Sequence, residues 1–118
     1  MRTETAPTAA GAAAPPTRGR PTRARRAELI GAAVRELPDV AGLTAGPRGW
    51  VVTYRPGPPY TGVAVRDGEI EVGVVVRPGR ALADVAEAVR RAVLPLADGL
   101  PVNVLIADID DAAVGRRA

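Results

Sequence analysis

The stretch that decides the fold of this chain is Val63-Ala-Val-Arg-Asp-Gly-Glu-Ile-Glu-Val72. Asp67-Gly68 between two strands of alternating pattern is a favoured two-residue hairpin turn. This turn sets a register in which Arg66 lies opposite Glu69. The other pairs of the register are Val65 with Ile70, Ala64 with Glu71 and Val63 with Val72. Opposite charges then meet and four apolar side chains share one face, so two independent criteria predict a β-hairpin.

Helical patterns lie on both sides of this hairpin. Residues 24–37 repeat apolar side chains at the spacing of one helix face, and Pro38 ends the pattern. Residues 81–96 carry a second stripe, made of Leu82, Val85, Ala86, Val89, Val93 and Leu96. Strands are predicted at 50–55, 63–66, 69–77 and 102–107. The order α-β-β-β-α-β predicts an α+β two-layer sandwich, with a mostly antiparallel four-stranded sheet and two helices on one face.

The ends of the chain differ in composition from its middle. Residues 1–23 are rich in Ala, Pro, Thr, Gly and Arg and show no hydrophobic period. Such a segment cannot bury enough apolar surface to offset its ordering entropy, so we predict a disordered arm. We predict a folded domain at 24–109 and a flexible tail at 110–118.

Positive charge is concentrated near the amino terminus. All 16 basic residues are Arg, and six of them fall in residues 1–26 against the single acid Glu4, a net of +5. Residues 27–118 hold the other ten Arg against twelve acids, a net of −2. Contacts with an anionic partner are therefore expected only from the amino-terminal arm. The candidate residues are Arg18, Arg20, Arg23, Arg25 and Arg26.

The residue types that most enzymes depend on are missing. The chain has no Cys and no His, and its sequence also contains no Lys and no Ser. Thiol and serine nucleophiles, histidine general bases and lysine Schiff bases are thereby excluded. No phosphate-binding or dinucleotide-binding glycine motif is present either. We therefore expect no enzyme activity, no catalytic residues, no cofactor, no metal and no small-molecule substrate.

Two local features allow more than one interpretation. Trp50 and Tyr54 share a face of the predicted strand 50–55, where they could stack on nucleic-acid bases, but core positions are the favoured interpretation. Gly46-Pro47-Arg48-Gly49 has the form of a nucleic-acid-clamping loop. That loop joins two helices in its usual setting, whereas here it precedes a strand, which favours a tight turn.

The second half of the chain resembles a known family. It has a valine-rich strand within Gly68–Arg80, then a helix with Val85, Val89 and Val93, and then the closing strand Val102-Asn103-Val104. This pattern is similar to that of the alkaline shock protein family, also called the envelope stress response protein family. Gly79 matches the glycine of that family's Tyr-Gly pair, while Pro78 stands where the aromatic residue is usual.

The resemblance covers about residues 24–109, and it implies a cytoplasmic protein of cell-envelope homeostasis. Such proteins self-associate or attach to the membrane through a separate anchor protein, and the resemblance carries over no catalytic residue. No run of the sequence approaches the ~18 apolar residues of a membrane span, so any membrane association is expected to be indirect. The first hypothesis is a non-catalytic scaffold or binding protein acting through protein–protein contacts near the membrane. The alternative is a nucleic-acid-associated protein tethered by its Arg-rich arm.

Overall fold

The computed structural model describes residues 20–110 of the chain. Its two α-helices are α1 (Arg23–Arg35) and α2 (Leu82–Val93), and a short 3₁₀-helix (Leu94–Leu96) follows α2 directly. Its strands are β1 (Val40–Leu43), β2 (Val52–Thr53), β3 (Tyr60–Thr61), β4 (Val63–Val65), β5 (Ile70–Val76) and β6 (Val102–Ile109). Most of the predicted arm (1–23) and of the predicted tail (110–118) lies outside the described residues, namely residues 1–19 and 111–118.

The predicted hairpin is confirmed in every pair. β4 and β5 pair antiparallel, with Val63 opposite Val72, Ala64 opposite Glu71 and Val65 opposite Ile70. The backbone N–H of Arg66 donates to the carbonyl of Glu69 at 2.9 Å and closes the turn. The register could be predicted from the sequence because both strands and their turn lie within ten consecutive residues.

β5 is the centre of the main sheet and has three neighbours. Its first half pairs with β4 and its second half with β1, both antiparallel and on the same edge. Its other edge pairs with β6 in parallel. The change of neighbour occurs at Gly73, whose N–H donates to Gly62 and whose carbonyl accepts from Thr44, each at 2.9 Å. The sheet therefore has four strands but is only three strands wide at any level.

One core lies between the sheet and the two helices. The buried face of β5 meets Ile30 and Val34 of α1, and α2 adds a row of three valines. β5 contributes Ile70, Val72, Val74 and Val76, and α2 contributes Val85, Val89 and Val93. Alternation along β5 and the 3.6-residue period of the helices bring these branched side chains to one layer. The α+β prediction is thereby confirmed.

The helix ends depart slightly from the prediction. Thr22 caps α1 by accepting a hydrogen bond from the N–H of Arg25 at 3.1 Å, so the helix starts at Arg23. Pro95 converts the end of the second helix into the 3₁₀ turn. Leu82 was predicted to belong to the buried stripe, but it is exposed because α2 begins there, beyond the edge of the core.

The assignment of the first strand also differs. β1 comes from Val40–Leu43, for which no strand was predicted, and it belongs to the four-stranded sheet in place of residues 50–55. Only Val52–Thr53 of that segment is a strand, and it pairs with β3 in a separate two-stranded sheet. Glycines with positive φ at 46 and 49 turn the chain before this segment, and the proline-rich loop after it limits its length.

Candidate functional site

Two exposed aromatic side chains line one groove of the surface. Trp50 is 66% exposed and Tyr54 is 82% exposed, and both border an open groove of about 550 Å³ together with Val52. The prediction that they lie in the core is wrong. Val51 and Thr53 take the inward positions of this segment instead, at 2% and 5% exposed. Alternation along an extended chain then turns the two aromatic residues outward.

Val51 is fixed between two neighbouring segments. Its N–H donates to the carbonyl of Ala45 at 3.0 Å, and its carbonyl accepts from the N–H of Gly62 at 2.7 Å. A hydrogen bond from the N–H of Gly49 to the carbonyl of Gly46 at 3.1 Å closes the preceding loop, which confirms the predicted tight turn. The backbone that carries Trp50 is therefore held on both sides of the ring.

Thr53 attaches β2 to the main sheet through its side chain. Its hydroxyl donates to the carbonyl of Val63 at 2.7 Å and accepts from the N–H of Val65 at 3.0 Å. The hydroxyl thus fills the place that a neighbouring strand would take on β4. Because these groups are buried, the two bonds also satisfy backbone atoms that would otherwise lack a partner.

Arginine side chains surround the aromatic groove. The guanidinium carbon of Arg48 lies 5.1 Å from the centre of the Trp50 ring, within cation–π range. Arg66 donates to the backbone carbonyl of Trp50 at 3.2 Å. Arg66 also forms ion pairs with Glu69 at 3.2 Å and Glu71 at 2.8 Å. Since these two carboxylates offset the charge of Arg66, the groove is rich in arginine without being strongly positive.

The opposite side of the small sheet is fastened to α1. Tyr60 lies over Gly31, and a Cβ at that glycine would overlap the phenol group. The guanidinium carbons of Arg35 and Arg55 lie 5.9 Å and 5.3 Å from the centre of the Tyr60 ring. Arg55 also donates to Glu28 of α1 at 2.7 Å. Arg55 thus links the proline-rich loop to the helix.

Three of the five arginines predicted to contact an anionic partner, Arg20, Arg23 and Arg26, border one open cleft, and Asp67 and Asp98 line it with them. Arg18 lies outside the described residues, and the other four pair with groups of the domain. Arg20 forms an ion pair with Asp98 at 3.0 Å, Arg23 with Asp67, and Arg25 with Glu28 at 3.4 Å. Arg26 is 13% exposed at its side chain, donates to the carbonyl of Leu96 at 2.9 Å and lies 3.9 Å from Asp98.

Sequence reasoning weighed Trp50 and Tyr54 but placed them inward, and it did not connect them with Arg48 or Arg66. Periodicity shows which side chains share a face, and it does not show which of two faces is buried. Thr53 gave no signal of its own in the sequence, because a hydroxyl can bond to water on an exposed face as well as to backbone groups on a buried one.

Within residues 20–110, no group of three or more acidic side chains is placed to hold a metal ion. Neither helix of this part of the chain has the length and apolar content needed to cross a bilayer. No protein-family model, no curated protein and no solved structure matches the chain.

Proposed function

We propose that this chain is a non-catalytic scaffold or binding protein that acts through protein–protein contacts, and that a partner protein binds the groove of Trp50 and Tyr54. The cellular setting of the proposal comes from the family resemblance. It places the protein in the cytoplasm, in cell-envelope homeostasis, near the membrane and held there by an anchor protein.

The observation that carries the binding proposal is the exposure of both aromatic rings. A soluble domain loses favourable free energy by leaving large apolar surfaces in water, and such surfaces commonly mark interaction sites. Trp, Tyr and Arg are also the residue types that dominate the binding energy of protein interfaces. All three types meet at this groove, in Trp50, Tyr54 and Arg66, and Arg48 adds a cation–π contact to the Trp50 ring.

The surroundings of the rings favour a protein partner over a nucleic acid. A groove that follows a phosphate backbone needs a clear excess of positive charge. Here Arg66 is paired with two glutamates, and Arg23 at the groove's edge is paired with Asp67. A mixed surface of aromatic rings and paired charges fits the centre and rim of a protein interface.

The test compares three full-length proteins as affinity baits in extracts of the source cells. The first is the unmodified protein, the second carries Trp50→Ala and Tyr54→Ala, and the control carries Leu94→Ala at an exposed position remote in sequence. We expect one partner to be retained by the first and third baits and lost from the second. The purified partner should then shift the fluorescence of Trp50, the only tryptophan of the chain.

Equal capture by all three baits, with unchanged thermal unfolding of the double variant, would place the binding surface elsewhere. Fractionation of the same cells tests the setting, since the proposal expects part of the protein to sediment with membranes. A protein found entirely in the soluble fraction would contradict the envelope part of the proposal while leaving the binding part standing.

The alternative, a nucleic-acid-associated protein tethered by its arm, is less favoured by the contacts of Arg20, Arg23, Arg25 and Arg26 with groups of the domain. Its test removes residues 1–19 and replaces Arg20, Arg23 and Arg25 with Gln, because Thr22 caps α1 and a longer deletion would damage the helix. Anisotropy of a labelled oligonucleotide is measured at low and moderate salt. Binding that falls steeply with salt and disappears with these changes would favour this alternative.

A further inference from the structure

β6 is an edge strand with one free side. It pairs with β5 along its whole length, and no strand of residues 20–110 pairs with its other side. In this parallel ladder Ile70, Val72 and Val74 bond towards β6, and they lie opposite Val102, Val104 and Ile106. Residues opposite a bonded residue in a parallel pair direct their own N–H and C=O groups to the far edge. The backbone groups of those three β6 residues therefore face away from the sheet.

At each end of this free edge an outward backbone group has a hydrogen-bond partner, whereas in its middle the outward groups have none within residues 20–110. The carbonyl of Val102 accepts from Nε of Arg90 at 3.4 Å, and the N–H of Ile109 donates to the side chain of Asp108 at 2.8 Å. Between them, the outward groups of Val104 and Ile106 receive no hydrogen bond from the described part of the chain. Natural sheets guard such edges with charge, proline or a bulge. Residues 103–106 contain none of these, and the open stretch ends at a bulge, where Ala107 is skipped in the pairing with β5, followed by the charge of Asp108.

We propose that two copies of this chain pair through the free edges of their β6 strands, antiparallel and about a two-fold axis at Leu105. In this register Val104 of each copy lies opposite Ile106 of the other. Each of these pairs exchanges two hydrogen bonds, so the four outward groups left open in each copy are all satisfied. The carbonyl of Val102 and the N–H of Ile109 keep the hydrogen-bond partners that they have within their own copy.

The side chains agree with this register. Val104 and Ile106 pack against the core of their own copy, so pairing them continues one apolar layer across the axis. Leu105 meets Leu105 of the second copy on the other face. An open groove of about 340 Å³, lined by Leu82, Ile106 and Ile109 among others, lies at the carboxyl end of β6. The register brings Leu100 and Pro101 of the second copy to the apolar residues of this groove, which Asp108 also lines.

A second copy fits this edge better than the chain's own ends do. The middle of the edge, residues 103–107, is uncharged and needs regularly spaced N–H donors. Residues 1–19 contain Pro7, Pro15 and Pro16, which lack that donor, and residues 111–118 include Asp111, Arg116 and Arg117. An edge strand that pairs with its own copy also closes the assembly at two, since the contact is isologous.

The test uses cysteine substitutions, which the absence of native Cys makes unambiguous. Leu105→Cys places two thiols in a non-hydrogen-bonded antiparallel pair, where the Cα separation of about 4.5 Å falls within the range of disulfides. Asn103→Cys is the matched control, since the two residues 103 would lie about 13 Å apart along the strands. We expect mild oxidation to convert most of the Leu105→Cys protein to a covalent dimer and little of the control. Equal cross-linking of the two variants, or none of either, would overturn the proposal.

Hydrogen exchange on the unmodified full chain gives a second readout that needs no variant. The amides of Val104 and Ile106 should exchange at least about tenfold more slowly at millimolar than at low micromolar concentration, because pairing follows mass action. Exchange that does not depend on concentration contradicts the proposal, whether the amides are open to water or covered by the same chain. This inference is independent of the aromatic groove, and either can fail alone.

Discussion

Gly73 is the residue at which the central strand exchanges one neighbour for another. A Cβ at this position would overlap the backbone carbonyl oxygen of Thr44, because the segment leaving β1 crosses directly over the glycine. The obstacle is main chain, which cannot rotate away as a side chain can. Glycine is needed here for close approach, in a backbone conformation that other residues could adopt.

We expect Gly73→Ala to lower the free energy of unfolding by about 3 kcal/mol, at the upper end of overpacked sites. Gly42→Ala is the matched control, since residue 42 also lies in a strand of this sheet and a Cβ there has open space around it. The control should be neutral or slightly stabilising, because alanine restricts the unfolded chain. Urea unfolding followed by circular dichroism measures both, and equal stability of the two variants would contradict this account of Gly73.

At the scale of elements, the small sheet of β2 and β3 depends on Thr53 for its attachment to β4. The hydroxyl bonds to Val63 and Val65, and both of these neighbours are buried. A side chain of the same shape without the hydroxyl would leave one carbonyl and one N–H in the interior without a partner. The exposed aromatic residues on either side of Thr53 would then lose their fixed position.

We expect Thr53→Val to cost about 2–4 kcal/mol of unfolding free energy, since each buried group left unsatisfied costs ~1–3 kcal/mol. Thr61→Val is the control, because Thr61 is exposed and lies opposite Val52 in the same small sheet. It should change stability by less than about 0.5 kcal/mol. Thermal unfolding of both variants provides the measurement, and a Thr53→Val protein as stable as the control would show that the hydroxyl is not the attachment.

The elements that the sequence predicted well are those set by local contacts. The hairpin at Asp67-Gly68 and the two amphipathic helices depend on spacing within a few residues, and they were recovered nearly to their ends. The pairing of β1 with the second half of β5 joins residues more than thirty apart, and no local pattern encodes it. The prediction for residues 50–55 was wrong for a different reason, since the alternation of side chains left open whether Trp50 or Val51 faces the interior.

Only part of the candidate site could be predicted from the sequence. Both aromatic residues were recognised as sharing one face, yet their exposure follows from contacts of Val51 with Ala45 and Gly62, which arise only when the chain is folded. The arginines of residues 20–26 were chosen by charge alone. The sequence does not show that folding brings Asp67 and Asp98 close enough to form ion pairs with these arginines.

For the molecule as a whole, the notable feature is a core without aromatic rings. In residues 20–110 its fully buried members are Ile, Val and Ala, and Tyr60 only borders them. Short branched side chains fill such a core at native density only if each methyl group has neighbours on all sides. A domain of this size has a net stability of about 5–14 kcal/mol, so the loss of a few methyl contacts is a large fraction of the total.

Val74 and Val75 test how unevenly that stability is distributed across the sheet. They are adjacent in β5, but Val74 is fully buried against the helices, whereas Val75 lies on the opposite face and is partly exposed. We expect Val74→Ala to cost about 2–3 kcal/mol, from lost transfer free energy plus a cavity that the rigid core cannot close. Val75→Ala should cost about 1 kcal/mol or less. Urea midpoints at unchanged slope measure the difference, and equal losses would mean that the outer face is as tightly packed as the core, against the layer arrangement described above.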